Sequence, residues 1–418
     1  MTTIHDKEGL PEDLLTNEIE GNRRLKVESS LTDVSGRSAM VSMTGELQVA
    51  GKVDEVNVNF QYGIRTANVK TTVSGTGTAT TIKSTGAAKT GVGVGSCLLA
   101  SKDPVRYRAG HESHAALSAV FATPEVNVNQ YCGFINTSDT FASGYQGLDF
   151  GLWYIEGGNV NFIKQADFNY DKLDGNGVSG FNIDPQKGNL YRLTFTWHGF
   201  LPLVLEVADG LNWHKVHVLN FVNQITETHL ENPHIPVGVK IERTAGTGAD
   251  LSIKTGSWRA GSIAFADDDD SSDYWTAHTV LDRALVGSAR TNIFTIYNKP
   301  TYFSKTNHIV YELGVVTFDS QANKSCAVYG TKGATLVGAS AAVDIDTVNS
   351  PLQYINGGTV TGGKRGPATV IKAGGDRRTD VLGTGIKIYP GEYFTFEVDP
   401  GGAVNGTFSI SARMVGRH

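Results

Sequence analysis

Apolar and polar residues alternate with a period of two along most of this chain, in short runs closed by Gly, Asn, Asp or Pro. Side chains of an extended strand point alternately to the two faces of its sheet, so such runs predict half-buried β-strands. The clearest lie between Pro104 and Phe221: HAALSAVF, NQYCGFIN, LDFGLWYIEGG, NVNFIKQ, LYRLTFTWHGF, LPLVLEVA and KVHVLNF. In the fifth of these, Leu193, Phe195 and Trp197 fall on one face and Arg192, Thr194 and Thr196 on the other, which gives the first set to a core. Short strands with turn residues every 8 to 12 positions or so predict antiparallel sandwiches of jelly-roll type.

The pattern extends in both directions. Upstream, AMVSMTGELQVAG and VDEVNVNFQYGI read as strands, and the nearly uncharged TTVSGTGTATTIKSTGAAKTGVGVGS as two thin strands with a flexible tip. Downstream, LSIKTGSWRAGSIAF is followed by an acidic run, Asp267 to Asp270 with Asp273, after which strands resume with TNIFTIYNK, HIVYELGVVTF, SCAVYGT, ATVIKAG, GIKIYPGEYFTFEV and GTFSISARMVG. The expected fold class is therefore all-β: two antiparallel, jelly-roll-like β-sandwiches over residues 36–265 and 286–418, joined by an acidic linker over 266–285. Residues 1–35 are charged and read as an extended N-terminal arm, with a short helix near Pro11 to Ile19 where Pro takes a first-turn position.

Composition narrows the functional classes. A chain of 418 residues with 40% hydrophobic content has material for two or three cores, and its 49 Gly against 4 Met suit tight turns. A net charge of -6 offers no clustered cations for phosphates, so no nucleic-acid partner is expected. No run reaches the roughly 18 apolar residues of a membrane helix, so no membrane insertion is expected, and the opening MTTIHDKEGLPEDLL lacks the basic start and apolar stretch of a signal peptide. Cys97, Cys132 and Cys326 have no paired spacing, which excludes a disulfide framework and a cysteine zinc module.

Candidate chemistry is sparse. The loop QADFNYDKLDGNGVSGFN, Gln165 to Asn182, interrupts the strand pattern; its Asp171, Asp174 and Asn176 are weak calcium candidates, lacking the spacing and terminal Glu of an EF-hand, beside the reading as a plain Asx turn. His111 and His114 are three apart where a zinc protease motif needs four, His214 and His217 fall on opposite strand faces, and the glycine runs Gly75 to Gly77 and Gly91 to Gly95 lack a dinucleotide fingerprint. Glu156 with Asp149, or Asp184 with Glu206, are conceivable glycosidase pairs whose separation sequence cannot test. Tyr145, Trp153, Tyr154 and Trp213 are candidate glycan contacts if exposed. No catalytic residue, cofactor site or metal site is assigned, and the chain is expected not to be an enzyme.

Several segments together resemble a family of virion structural proteins of tailed bacteriophages. They are VSGRSAM, GELQVAG, VNFQYGI, VSGTGTATT, PVRYRAGHESHAALSAVF, YQGLDFGLWY, QADFNYDKLDGNGVSGFNIDPQKGNLYRLTFTWHGF, HVLNFVN and ENPHIPV, in the family's order over roughly residues 35–260. The DKLDGNGVSG loop followed by a strand with Trp is the most specific; Trp197-His198-Gly199-Phe200-Leu201 departs from the family, which often has an aliphatic residue and a second Gly after that Trp. The resemblance implies a structural component of the phage particle, a capsid decoration or head-fibre protein assembled in the host cytoplasm, with a tail-fibre or baseplate protein as an alternative; the sandwich fold and the candidate aromatics add a carbohydrate-binding adhesin for host attachment as another. It implies capsid or tail proteins as partners and a homo-oligomer, for which a trimer is the commonest guess among projecting fibres; a host surface glycan is the partner that the candidate aromatics would add.

Overall fold

The structure, a computed structural model, describes residues 16–19, 22–25, 52–107, 111–196, 198–263, 273–278, 283–287, 289–320, 323–371, 376–380, 385–399 and 404–417. Most of the expected arm, the start of the acidic run and Trp197 lie outside these residues. Within the arm, β1 (Thr16–Ile19) and β2 (Asn22–Leu25) form an antiparallel hairpin with Thr16 opposite Leu25. Residues 16–19 are thus strand where a helix was expected: β-branched Thr16 and Ile19 favour an extended chain.

The first sandwich follows in chain order. Its strands are β3 (Lys52–Asn59), β4 (Val69–Gly75), β5 (Thr78–Ile82), β6 (Thr85–Lys89), β7 (Gly95–Ser101), β8 (Glu112–Ala119) and β9 (Val128–Ile135). Next come β10 (Thr140–Gln146), β11 (Asp149–Glu156), β12 (Asn159–Lys164), β13 (Asn189–Thr196), β14 (Leu203–Ala208), β15 (Trp213–Leu219), β16 (Val237–Arg243), β17 (Ser252–Thr255) and β18 (Ser257–Ile263). A seven-stranded sheet in the order β12-β11-β10-β9-β16-β7-β4 packs on a six-stranded sheet in the order β15-β14-β13-β8-β18-β3. The Thr/Gly-rich segment expected to make two strands makes three, β4, β5 and β6; β5, β6 and β17 form a small third sheet.

The core lies between the two large sheets and follows the pleat. Tyr191, Leu193 and Phe195 of β13 are fully buried, whereas Arg192 turns outward and grips Glu206 of β14 through two hydrogen bonds. Phe121, Tyr145, Phe150 and Tyr191 meet edge to face at 5.2–5.9 Å, the arrangement their ring quadrupoles favour. Trp258 closes one end against Phe60 at 5.0 Å and donates its indole N–H to Thr255 at 2.8 Å. Cys97, Cys132 and Cys326 are all buried free thiols.

A second core gathers residues from Ala277 to Met414. One of its sheets runs through the strands Asp273–His278, Val404–Arg417, Val310–Ser320 and Asp376–Asp380, and Arg283–Gly287 also pairs with Val404–Arg417. The other passes from Thr291–Asn298 through Tyr393–Asp399 and Cys326–Lys332 to Lys364–Ile371. In its interior the fully buried carboxylate of Glu397 is gripped by Arg290 at 2.7 and 2.8 Å and by Arg365 at 2.6 Å. The linker expected over 266–285 is corrected in its later part: 273–278 and 283–287 are strands, because the long partner 404–417 offers its edge to both.

Candidate functional site

The Asp-, Asn- and Gly-rich loop is closed on itself. The buried Asp171 carboxylate accepts the N–H of Leu173 at 2.8 Å and of Ser179 at 2.7 Å, and Asp174 accepts the N–H of Asn176 at 2.9 Å. Burial pushes the Asp171 pKa up, but these N–H donors outweigh it and the net shift is downward. Gly177 packs so tightly that a Cβ there would sit 2.1 Å from Asp171 Oδ1. The oxygens weighed as calcium ligands at Asp171 and Asp174 are thus turned to the loop's own backbone, and among the described residues no group of three acidic, His or Cys side chains is placed to hold a metal.

A second arrangement is assembled from residues far apart in the chain. Strand register puts Phe162, Trp153 and Ala142 side by side on the outer face of the seven-stranded sheet, and Tyr131, Lys240, Leu98 and Thr72 in the adjoining row. This outer face is apolar over much of its width: Tyr131, Ile135, Trp153 and Ile155 are buried, with Trp153 4.8 Å from Tyr131 and 5.3 Å from Phe162. A sheet face turned to water has no need of such residues. Here the second sandwich lies across one end of the face.

The two sandwiches are clasped by polar contacts. Asn136 donates its amide N–H to His308 Nε2 at 3.1 Å, Lys387 meets Asp103 at 2.9 Å, Asn232 donates to the Thr306 carbonyl at 3.1 Å, and Lys305 donates to the Glu231 carbonyl at 3.2 Å. Beside this clasp a cleft of about 860 Å³ opens in the seam. Lys70, Leu98, Tyr131, Asn136 and Lys240 contribute from the first sandwich, and Pro300, His308 and Tyr389 from the second. Lys102 sits 5.7 Å from the Tyr389 ring centre and Lys240 5.6 Å from that of Tyr131. Burial drives the His308 pKa down to about 4, with Asp139 opposing and nearby Lys70 adding to the fall.

The remaining candidates separate clearly. Tyr145 and Tyr154, weighed as exposed glycan contacts, face the inner core because the pleat aligns them with Phe150 and Leu152; Tyr154 also donates its hydroxyl to the His229 carbonyl at 2.6 Å. Trp153 faces outward but is only 3% exposed. Exposure as the premise for these three is corrected. Trp213 keeps a partly exposed ring, covered on one side by the Arg192 guanidinium at 4.5 Å.

The pair Glu156 and Asp149 does not converge. Glu156 and Asp149 stand at opposite ends of β11, about 23 Å apart at the strand's rise per residue, far beyond the roughly 5–9.5 Å of glycosidase pairs. Glu206 is held by Arg192, and Asp184 accepts the N–H of Gln186 at 3.0 Å. A polar pocket of about 540 Å³ does bring Glu156 beside Glu227, Glu231 and Lys305. His114 is buried 3.9 Å from Asp54, and His214 meets Asp209 at 2.6 Å. The cleft residues Lys70, Lys102, Lys240, Asn136, His308 and Tyr389 carry no local motif. Their one signal in the sequence is that the strand positions facing away from the core, Tyr131, Ile135, Trp153 and Ile155, are also apolar.

No protein-family model matches this chain, and no curated protein does. Among solved structures it is similar to a GH43 protein from Bacillus licheniformis, with a TM-score of 0.27 and 11% identity over 44% of this chain and 34% of that one. It is similar also to a Bacillus licheniformis β-glucanase, with a TM-score of 0.34 and 10% identity over 51% of this chain and 99% of that one. Lectin II from Ulex europaeus matches with a TM-score of 0.32 and 10% identity over 51% of this chain and 100% of that one. The chain thus spans about a third of the GH43 protein's length. Likeness of this degree concerns strand layout and assigns no activity. The expectation that the chain is not an enzyme, drawn from the lack of a catalytic constellation and from the resemblance, is corrected to this extent: a GH43 protein and a glucanase are among the structures with a similar strand layout.

Proposed function

We propose that this protein is a structural component of a tailed-phage particle, with residues 1–35 and the first sandwich making the assembly contacts. The ordered resemblance over residues 35–260 supports the reading. The observation that carries it on the physical side is the clasp at the seam, where side chains from the two sandwiches bond to each other directly, as in Asn136 with His308 and Lys387 with Asp103. A particle part needs a fixed outline so that contacts repeated over symmetric copies add up by avidity. Capsid decoration or head fibre is the leading placement. Mass spectrometry of purified particles tests it: the chain is expected in many copies per particle, and its recovery only in the lysate supernatant would refute the proposal.

A second reading, attachment to a host surface glycan, is favoured by one observation, the cleft in the seam with its aromatic and cationic lining. Both roles fit one chain, since a subunit fixed at many sites on a particle also presents its cleft in many copies.

A further inference from the structure

The seam cleft carries charge that the protein itself does not balance. Lys240 has Glu242 at 2.7 Å, and Glu392, the carboxylate in the lining, is occupied by Lys332 at 3.3 Å and by the N–H of Tyr389 at 3.3 Å. Asp103 is engaged by Lys387. Lys70 and Lys102 have no carboxylate within ion-pair distance among the described residues, and both face the cleft. His308 adds no charge at neutral pH, since burial holds it in the neutral form.

The rest of the lining fits a sugar. Tyr389 and Pro300 offer apolar faces, while Asn136 and Ser96 offer hydrogen-bonding groups beside them. Saccharide rings present just this mixture, C–H faces and a rim of hydroxyls, and a volume of about 860 Å³ holds a short oligosaccharide. Two lysines lacking counter-ions next to such a surface select a ligand bearing negative charge, because an anion placed there replaces water around both ammonium groups at once.

We propose that the cleft between the two sandwiches binds an acidic saccharide, one bearing carboxylate or phosphate groups, through Lys70 and Lys102. The proposal deepens the attachment reading and rests on it. The experiment uses the full chain on an array of oligosaccharides carrying uronic acid, sialic acid or glycerol phosphate, beside neutral oligosaccharides of equal length. Acidic probes are expected to bind at least tenfold tighter than neutral ones, and the three acidic groups separate carboxylate from phosphate as the recognised chemistry.

Calorimetric titration of the best probe then compares the Lys70→Ala/Lys102→Ala pair with the Lys70→Arg/Lys102→Arg pair and with Lys324→Ala on the exposed surface. The alanine pair is expected to lose at least tenfold in affinity, the arginine pair and Lys324→Ala to lose little, and added salt to weaken binding. Lys70 is exposed, so all variants are expected to melt as the parent does; should the alanine pair not fold, Lys70→Gln alone takes its place. Binding of neutral probes as tight as acidic ones, absence of binding by any acidic probe, or full affinity in the alanine pair overturns the proposal. Neutral probes bound as tightly as acidic ones, or full affinity in the alanine pair, remove this proposal and leave the attachment reading standing, whereas absence of binding by every probe removes both.

Discussion

The loop around Asp171 and the cleft around Lys70 invert what their sequences suggest. The loop is the most conspicuous stretch of the chain, dense in the residue types that bind ions, yet Asp171 and Asp174 have turned their oxygens to N–H groups two to eight residues away. The cleft is built from residues with no motif, drawn from both sandwiches, and two of its ammonium groups lack a counter-ion among the described residues. Polar groups satisfied locally stabilise a fold, whereas polar groups left with capacity beside an open volume are available to a ligand. Substitutions in the two regions should therefore fall on different measurements.

The largest effect is expected in the loop. Asp171→Ala removes two charge-assisted hydrogen bonds from a buried site and strands their donors, a loss of about 3–5 kcal/mol. Asp171→Asn keeps one acceptor oxygen and should lose less, while Gly177→Ala, whose Cβ would collide with Asp171, should cost about 1–3 kcal/mol. Chemical denaturation measures all three through the midpoint at unchanged slope. Saccharide binding in the cleft should not move. A stable Asp171→Ala variant would mean that the loop's order comes from elsewhere.

An intermediate effect belongs to pH at the seam. His308 is neutral in the fold with a pKa of about 4, against 6.5 in an unfolded chain, so below pH 6.5 the unfolded state takes up a proton the folded state refuses. Stability is full above pH 6.5, falls between 6.5 and about 4, and levels below that, a total on the order of 3 kcal/mol from this residue. His217 and His229, also lowered by burial, act in the same direction. Because they share the effect, the diagnostic variant is His308→Gln, whose unfolding free energy should depend less on pH over this window than that of the parent. An identical pH profile would show that His308 does not titrate across unfolding.

How far this contrast could be read in advance depends on the range of the interactions. The strands NQYCGFIN, LYRLTFTWHGF and HIVYELGVVTF were legible because alternation is a local property of a pleated chain. TFASGYQ, the strand β10, and VGVKIER, the strand β16, are strands beyond those the pattern predicts. In the first, Ala, Ser and Gly have little preference for strand, and it is the neighbours β9 and β11 that hold it in place. The aromatic candidates failed for a related reason. In LDFGLWYIE both faces of the strand are apolar, so periodicity could not say that Tyr154 faces the inner core and Trp153 the outer face. Lys70 and His308 meet across more than two hundred residues of chain, and no window of sequence holds both.

A smaller effect tests the clasp. Asp103→Asn removes the charge partner of Lys387 at a half-exposed position, worth about 0.5–1 kcal/mol, and frees Lys387 to add positive charge at the seam. Acidic saccharides should then bind slightly tighter while stability drops slightly, two opposite signs from one substitution. A change of the same sign in both would indicate that the pair acts through the geometry of the seam and not through its charge.

The smallest stability effect, and the sharpest form of the contrast, is expected for Lys70→Ala. Lys70 is exposed on β4, its side chain makes no ion pair with a described carboxylate, and its one noted influence is to disfavour a charge on His308. Removing it should shift unfolding free energy by no more than about 0.5 kcal/mol at neutral pH. In acid the sign is favourable: without the Lys70 ammonium, His308 accepts a proton at a somewhat higher pH, so the folded state loses less between pH 6.5 and 4 than the parent does. Denaturation midpoints at pH 7 and pH 5 measure both. A variant that is markedly less stable at pH 7 would place Lys70 among the groups that hold the fold, as Asp171 does, and the distinction between a self-satisfied loop and a cleft with charge to spare would fail at its central residue.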